Sequence, residues 1–265
     1  MDFHTHCNYS PDSDTPMEEM IIAAIKNGIT DLAFTDHVDI DADLDAYPQD
    51  WDFDRDAFEK DIIQMKEKYR EEISIYQGLE VGIQPHLTQK NTEIVRANDY
   101  DFVIASLHSV ERRDLYHKRF FENHTDKEAV QIYYTEFENS LRDFKAYSVI
   151  GHLDLYLRYK PELKNVEPKH YDDIVHAIFK RIIEDGKGIE LNAGGFRYGI
   201  NQNNPGIQLL KMYKEMHGEI ITLGSDAHNP KYLGYFYDEN CELLKQVGFR
   251  YLTTFDKGKP VFHKL

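Results

Sequence analysis

The feature that most constrains the fold of this 265-residue chain is a repeated order of segments, in which a short apolar run is followed by an amphipathic stretch. Short apolar runs are typical of buried strands, and apolar residues three or four positions apart predict helices. The pattern repeats seven times, and no long linker or low-complexity segment interrupts it. The predicted strands are 1–6, 31–35, 73–81, 102–107, 148–152, 188–192 and 219–224.

A predicted helix follows each strand. The first begins at Pro16 and ends at Gly28, residue types that suit the two ends of a helix. A short helix is predicted over 92–97, and a terminal strand or hairpin over 250–263. The other predicted helices carry apolar faces at Phe58, Ile62, Met65 and Tyr69; at Val130, Tyr134, Phe137, Leu141 and Phe144; at Ile174, Ile178 and Ile182; at Leu209, Tyr213 and Met216; and at Leu243, Leu244 and Val247.

Strict alternation of strands and helices predicts an α/β fold with a parallel sheet. We expect residues 1–265 to form one domain, a barrel of seven strand–helix units with its functional residues at the carboxyl ends of the strands. The alternative that fits the same pattern is an open, doubly wound sheet.

Composition narrows the classes of partner. The net charge of −16 argues against long nucleic acids, because a phosphate backbone requires clustered Lys and Arg. No apolar stretch approaches the roughly 18 residues that span a bilayer, and no signal-peptide pattern is present. Two cysteines argue against a disulfide framework or a Cys-rich zinc module. We therefore expect a cytoplasmic protein without a membrane partner, and the sequence leaves its oligomeric state open.

Metal-ligand residue types follow strand after strand. Each one alone is more often an ordinary hydrogen-bonded side chain, but a parallel barrel gathers all the strand ends at one mouth. Imidazole and carboxylate without thiolate suit Zn²⁺, Mn²⁺ or Fe²⁺ better than Ca²⁺ or Mg²⁺. Their number predicts two or three ions, with Glu80 as a bridging carboxylate. These residues are His4, His6, Asp36, His37, Glu80, His108, His152, Asp226 and His228.

The order and spacing of six motifs resemble the polymerase-and-histidinol-phosphatase superfamily over nearly the whole chain. The chain length, with no polymerase appended, is similar to that of the stand-alone histidinol-phosphate phosphatases. The resemblance implies a distorted (βα)7 TIM-like barrel and metal-dependent hydrolysis of L-histidinol phosphate to L-histidinol and phosphate, a step of histidine biosynthesis. The motifs are His4-Thr-His6, Thr35-Asp-His37, Gly78-Leu-Glu80, Ser106-Leu-His108, Gly151-His152 and Ser225-Asp-Ala-His228.

The resemblance also implies how three ions would be divided among the ligands. Some relatives have His where Asp12 stands, so Asp14 is an alternative to Asp12. Asp2 and Asp36 would orient imidazoles, or are ordinary acids of the terminus and a turn. The implied sets are His4, His6, Glu80 and Asp226 for one ion, Glu80, His108 and His152 for a second, and Asp12, His37 and His228 for a third.

Two ions that share Glu80 would hold a bridging hydroxide, which would attack phosphorus in line with the ester oxygen. Arg158 and Arg197 resemble phosphate-binding arginines and would bind the phosphate through two hydrogen bonds each. The alternative for each is a loop arginine at the surface. Asp226 and water are candidate proton donors for the leaving group.

The acidic loop 39–56 carries Tyr47, Trp51 and Phe53. We predict a lid over the barrel mouth, in which aromatic rings stack on the imidazole of the substrate and acids pair with its ammonium group. The alternative is a solvated acidic loop.

Three other functions fit part of the pattern. One is another phosphoesterase of the same superfamily, acting on short nucleic acids from the 5′ end or on phosphotyrosine. The second is a non-catalytic metal-binding barrel. The third is a serine hydrolase using Ser225, Asp226 and His228, which is disfavoured because these residues are adjacent in sequence and no nucleophile elbow is present.

Overall fold

A computed structural model describes residues 1–43, 45–46 and 51–265. Within these ranges the strands are β1 (Asp2–Thr5), β2 (Asp31–Phe34), β3 (His37–Val38), β4 (Ser74–Gly82), β5 (Phe102–Ser106), β6 (Ser109–Val110), β7 (Arg113–Asp114), β8 (Val149–Ile150), β9 (Gly188–Asn192), β10 (Ile221–Gly224), β11 (Tyr251–Asp256) and β12 (Lys259–Lys264). The helices are α1 (Met17–Lys26), α2 (Arg55–Lys68), α3 (Thr88–Arg96), α4 (Arg119–Glu122), α5 (Asp126–Asp143), α6 (Tyr156–Tyr159), α7 (Asp172–Glu184), α8 (Gly194–Arg197), α9 (Ile207–Glu215) and α10 (Tyr237–Val247).

Eight strands form one parallel sheet, in which seven follow the order β1, β2, β4, β5, β8, β9, β10 and the short β3 pairs with β4. Strands that are neighbours in the sheet also follow one another along the chain, and a helix lies between each pair, as strict alternation predicts. The segment after β10 returns to β1, where the Asp226 N–H donates to the His4 carbonyl at 2.8 Å and the His6 N–H donates to the Ala227 carbonyl at 2.9 Å. These bonds bring the two edges of the sheet together, so the predicted (βα)7 barrel is confirmed and the open doubly wound sheet is wrong.

The first strand contains an irregularity that determines where its side chains point. Asp2 pairs with Leu32 and Thr5 pairs with Phe34, so β1 has one more residue than β2 between these positions. Such a bulge re-aims a side chain and is common beside active sites. Here it turns both Phe3 and His4 toward the barrel interior.

The lower part of the barrel interior is filled with apolar side chains. Phe255 enters it from β11, and its ring lies 5.2 Å from that of Phe102. This packing closes the amino-terminal end of the barrel and leaves the polar groups to the carboxyl ends of the strands. The buried cluster consists of Phe3, Ala33, Phe102, Ile104, Val149 and Phe255.

Several short elements were not predicted from the sequence. Strand β3 pairs with β4 after β2 has ended, and β6 pairs with β7 in a hairpin beside the barrel mouth. Strand β8 is shorter than predicted, and the helix expected to begin at Pro16 begins at Met17. The expected terminal hairpin is formed by β11 and β12. No helix in the described ranges has both the length and the apolar character needed to cross a bilayer.

Candidate metal centre

Glu80 lies at the centre of the cluster of polar side chains at the barrel mouth. It is buried near the end of β4, in register with His37 on β3. Its two oxygens lie 2.9 Å from His4 Nε2 and 2.8 Å from His152 Nε2. They also lie 3.2 Å from both His37 Nδ1 and His108 Nε2. One carboxylate therefore contacts imidazoles that come from four separate segments of the chain.

The surrounding imidazoles stabilise the charged form of Glu80. Burial opposes ionisation, but His4, His37 and His108 outweigh it and hold the pKa of Glu80 well below its usual range. The same attraction raises the pKa of His37 to about 9, although burial opposes that rise. The cluster is a set of mutually dependent charges.

Asp226 lies on the other side of the His4 and His6 imidazoles. Its Oδ1 lies 3.9 Å from His4 Nε2 and 3.6 Å from His6 Nε2. The backbone φ of Asp226 is 57°, a left-handed conformation that is uncommon outside glycine and occurs at strained functional sites. Burial opposes ionisation of this carboxyl, but Arg158 and His4 keep its pKa well below the usual range.

Three imidazoles form a stack at the edge of the cluster. The ring of His6 lies 4.0 Å from that of His228 and 4.4 Å from that of His37. Burial and the neighbouring imidazoles lower the pKa of His6, so its ring is neutral. Asp12 faces the stack, with Oδ2 at 3.0 Å from His228 Nε2 and 3.7 Å from His37 Nε2. Asp14 is exposed and has no such contact in the described part of the chain, so the geometry favours Asp12.

Asp39 is part of this cluster, although the sequence analysis placed it only in the acidic loop. Its Oδ1 lies 2.8 Å from His108 Nδ1, and its Oδ2 lies 3.4 Å from His37 Nδ1. Burial opposes its ionisation, but His108 and His37 lower the pKa of Asp39 to about 2. A Cβ at Gly82 would lie 1.9 Å from this carboxylate, so glycine is required where the two strands end. The signal in the sequence is the short spacing of Asp36, His37 and Asp39.

Glu190 was also missed. It lies on β9, its carboxylate is buried, and its Oε1 lies 2.6 Å from His4 Nδ1. Its Oε2 accepts the backbone N–H of His152 at 3.1 Å. The signal was a single Glu in the middle of the predicted strand Gly188–Asn192, because a charged residue in a buried strand needs a partner.

The two candidate arginines converge on Asp226. Arg158 Nη1 donates to the Asp226 carboxylate at 2.6 Å, and its other nitrogens donate to Asn192 and Asn204. Arg197 Nη2 donates to the Asp226 carbonyl at 2.5 Å. Both side chains are largely buried, so the alternative of surface loop arginines is wrong. Arg158 lines the cavity at the barrel mouth.

Asp36 and Asp2, the two acids expected to orient imidazoles, do not bond directly to an imidazole ring in the described residues. Asp36 accepts the hydroxyl of Ser10 at 2.8 Å, and Ser10 Oγ lies 3.0 Å from His6 Nδ1. Asp2 accepts the backbone N–H of Ser225 at 2.9 Å and its hydroxyl at 2.5 Å. Asp2 therefore fixes the loop after β10 rather than an imidazole ring.

The bond between Ser225 and Asp2 also bears on the serine hydrolase alternative. The Ser225 hydroxyl donates to a carboxylate, whereas a triad needs it to donate to a histidine. His228 Nδ1 instead lies 3.0 Å from the Asp226 carbonyl. The described geometry does not form a Ser–His–Asp triad.

A cavity of about 410 Å³ opens above the cluster. Trp51 lines it, held by a two-way backbone pairing with Asp39, and its ring lies 5.8 Å from that of His37. Phe53 instead packs against Tyr9 and Phe58, so its predicted place in the lid is wrong. Tyr47, the third aromatic residue of the predicted lid, lies outside the described residues.

Residues of the β6–β7 hairpin, of the loop that follows it, at the two ends of α6 and just after α8 also line this cavity. No sequence motif includes these residues, because only their position in the fold brings them to the cavity. They are Ser109, Asp114, Tyr116, His117, Leu155, Tyr159 and Tyr198.

Four groups of side chains could each hold a metal ion, since the ligand atoms within each group lie within 4.8 Å of one another. His4, His6, His37 and Glu80 each occur in two of them, so the groups are adjacent. They are His4, His6 and Asp226; His4, Glu80 and His152; His37, Glu80 and His108; and His6, His37 and His228.

Comparison with known proteins agrees with this geometry. The model of the PHP domain family matches residues 2–194, which include six of the seven barrel strands. The chain belongs to the PHP domain family.

The relatives are similar over nearly their full length. The histidinol-phosphatase of Lactococcus lactis is 27% identical over 267 residues, which is 98% of this chain and 95% of the relative. The crystal structure of histidinol phosphate phosphatase from that organism, in complex with Zn, L-histidinol and phosphate, superimposes with a TM-score of 0.88 and covers 98% of each chain. A protein of Clostridium acetobutylicum named probable histidinol-phosphatase is 27% identical over 257 residues, 94% of this chain and 96% of its own length.

A solved structure from Listeria monocytogenes has a TM-score of 0.78 at 18% identity and covers 91% of this chain and 99% of its own. At that identity the likeness shows the fold alone.

Proposed function

We propose that this protein is a metal-dependent phosphomonoesterase that hydrolyses L-histidinol phosphate to L-histidinol and phosphate. The observation that carries the proposal is the contact of one buried carboxylate, Glu80, with four imidazoles at the barrel mouth. The substrate is supported by the relative of Lactococcus lactis, whose structure contains L-histidinol and phosphate beside Zn.

The residues present suit transition-metal ions. His6 Nε2 is buried and has no hydrogen-bond partner among the described residues, yet Glu80 and Asp226 oxygens lie 3.5 Å and 3.6 Å from it. A buried, neutral imidazole nitrogen that faces two carboxylates without bonding to either is an arrangement that a cation would complete. The donor set is nitrogen and oxygen only, which suits Zn²⁺, Mn²⁺ or Fe²⁺.

We assign two or three ions to this centre. When bound, they would act as Lewis acids on the phosphate and lower the pKa of a coordinated water. The sets proposed to hold them are His4, His6, Glu80 and Asp226; Glu80, His108 and His152; and Asp12, His37 and His228.

The chain's own residues would then bind and orient the phosphate. Arg158 lines the cavity, and its bonds to Asn192 and Asn204 fix the plane of its guanidinium. A fixed guanidinium offers paired N–H groups to a phosphate. Arg197 bonds to the Asp226 carbonyl and lies over the ring of Tyr232 at 4.8 Å, so we propose that it supports the same wall. Arg158 keeps the Asp226 carboxylate ionised, so we propose that Asp226 relays a proton from water to the leaving oxygen rather than supplying one of its own.

A small phosphomonoester also fits the available space. A cavity of about 410 Å³ lies within the range of small-molecule sites. Trp51 and residues of the β6–β7 hairpin line the cavity. We propose that the imidazole and ammonium groups of the substrate contact these walls, away from the ions.

Three broader expectations stay proposals. We propose that residues 1–265 act as one domain, since the terminal hairpin packs into the barrel through Phe255. We propose a cytoplasmic location, which two free cysteines would suit. We propose a small-molecule partner rather than a long nucleic acid, in keeping with the net charge of −16.

A substrate panel tests the proposal. Protein reloaded with Mn²⁺ or Zn²⁺ is assayed for phosphate release from histidinol phosphate, phosphotyrosine and a short 5′-phosphorylated oligonucleotide. We expect histidinol phosphate to give the highest kcat/KM, and Glu80→Gln to abolish that activity. A higher kcat/KM on either other substrate would reject the proposed substrate, and no turnover of any would favour a non-catalytic metal-binding barrel.

A further inference from the structure

We propose that Glu190 is a positioning residue that acts through His4, by fixing which of its ring nitrogens faces the ions. The inference rests on the metal-binding part of the proposed function and goes beyond its ligand sets, which do not include Glu190.

The two nitrogens of the His4 ring face different carboxylates. Nδ1 lies 2.6 Å from Glu190 Oε1, and Nε2 lies 2.9 Å from Glu80 Oε2. A carboxylate only accepts hydrogen bonds, so Nδ1 must donate its proton to Glu190. Nε2 faces Glu80 and Asp226, so Nε2 is the nitrogen that gives up its proton when an ion binds the neutral ring. Outer carboxylates that hold metal-bound histidines work in this way.

Glu190 is itself held in place by its surroundings. Both its oxygens are engaged, because Oε2 accepts the His152 N–H at 3.1 Å. Glu190 lies in the centre of β9, and the side chain is buried. A carboxylate held at both oxygens and enclosed by the sheet can impose an orientation on a mobile ring.

The neighbouring strand β10 leaves room for the contact between Glu190 and His4. Gly224 on β10 is paired with Asn192, two residues after Glu190. A Cβ at Gly224 would lie 2.1 Å from Glu190 Oε1 and 2.5 Å from His4 Cβ. Any larger residue would push apart the two groups whose contact is proposed to matter. The glycine that precedes the Ser225-Asp226 motif is therefore explained by the carboxylate opposite it.

The rival explanation is that Glu190 is only structural, since it also holds the backbone of His152. A double-mutant cycle separates the two roles. Glu190→Gln keeps the volume of the side chain, and its effect is measured in the wild type and in a His4→Ala background. The readout is the dissociation constant of Mn²⁺ or Zn²⁺, measured by competition with a chromophoric chelator. Thr222→Val is the matched control, because Thr222 is buried on β10 and pairs with Glu190.

We expect Glu190→Gln to weaken metal binding at one site by about 10–100-fold, the usual effect of removing an outer carboxylate. In the His4→Ala background the same change should have little further effect, and Thr222→Val should stay within about twofold of wild type. Unchanged affinity in Glu190→Gln, or an equal loss with and without His4, would overturn the proposal.

A measurement on the wild type does not depend on any variant folding. Nitrogen-15 NMR of the Zn²⁺-loaded protein should show His4 protonated at Nδ1 and bound through Nε2, and the opposite pattern would also overturn the inference. Wild-type protein that binds metal but does not hydrolyse histidinol phosphate would reject only the substrate. Wild-type protein that binds no metal would reject both proposals.

Discussion

Individual histidines at the barrel mouth differ in how they are supported. His108 is held on one side by Asp39 and contacts Glu80 on the other, while its side chain is partly exposed. His4 is enclosed completely, between Glu190 and Glu80. A substitution at His108 therefore tests the candidate metal centre with less risk to the fold than one at His4.

We expect His108→Ala to reduce turnover of histidinol phosphate by more than about 100-fold, because loss of a ligand should exceed the effect of losing an outer partner. The metal-free variant should stay folded but melt at a lower temperature, because the buried Asp39 and Glu80 lose an imidazole partner. His176→Ala, on the exposed face of α7, is the matched control and should retain full activity. Near-wild-type turnover in His108→Ala would remove this residue from the proposed ligand sets.

Carboxylates around the metal centre favour the protonated form of several imidazoles. Burial opposes their charged form, but carboxylates outweigh it, so the pKa of His37 is raised to about 9 and those of His4 and His108 are also raised. His37 is therefore protonated in the metal-free protein at pH 7.5, and the same carboxylates favour the charged form of His4 and His108, whereas a metal binds the neutral ring.

Binding of Zn²⁺ to the metal-free protein at pH 7.5 should release protons, and apparent affinity should rise as the pH increases toward about 9. Calorimetry in two buffers of different ionisation enthalpy measures the number released. His108→Ala should release fewer. Binding without proton release at this pH would show that the rings are neutral before the ion arrives.

The sequence predicted the candidate ligands at the ends of strands, but not the carboxylates that hold those ligands in place. His4, His37, Glu80, His108 and His152 converge because strand ends meet in any parallel barrel. The contacts of Asp39 and Glu190 could not be predicted, because they depend on bulges, register and the absence of a Cβ at two glycines. The local sequence pattern indicates which residues are buried and whether they lie in a helix or a strand. It does not indicate which carboxylate contacts which imidazole across the barrel.

At the scale of elements, the loop after β3 brings an aromatic wall to the metal centre. Trp51 pairs with Asp39 through both backbone groups, and Asp39 contacts His108 and His37. The loop is therefore anchored to the cluster itself. Phe53, by contrast, packs with Phe58 at the start of α2 and belongs to the support of the loop.

We expect Trp51→Ala to raise the KM for histidinol phosphate about threefold to tenfold, which matches an aromatic contact of about 0.5–1.5 kcal/mol. The kcat should change less, since Trp51 is not among the proposed ligands. p-Nitrophenyl phosphate is the matched substrate, because it has no imidazole or ammonium group, and its KM should rise less. An unchanged KM for histidinol phosphate would place Trp51 outside the substrate site.

The elements themselves were predicted to different degrees. Strand β9 was predicted with its observed bounds, because Ile189 and Leu191 stand in a short run that begins at Gly188 after a predicted helix. The β6–β7 hairpin and the two-residue strand β3 were missed, since segments this short have no period to detect. These short elements carry His37 and line the cavity, so the parts that most shape the site were the least visible in the sequence.

At the scale of the whole molecule, an acidic protein is proposed to bind an anionic substrate. The net charge of −16 disfavours the approach of a phosphate ester. Bound cations and the buried Arg158 would reverse the local potential at the barrel mouth. We therefore expect activity to depend on bound ions. The barrel brings together the side chains that would hold them.

Metal content measured by mass spectrometry together with phosphate release from histidinol phosphate tests that claim most directly. Chelator-treated protein shown to be metal-free should release no phosphate, and added Mn²⁺ or Zn²⁺ should restore turnover as two or three ions bind per chain. Full turnover by the verified metal-free protein, or no phosphate release by the fully loaded protein, would contradict the account.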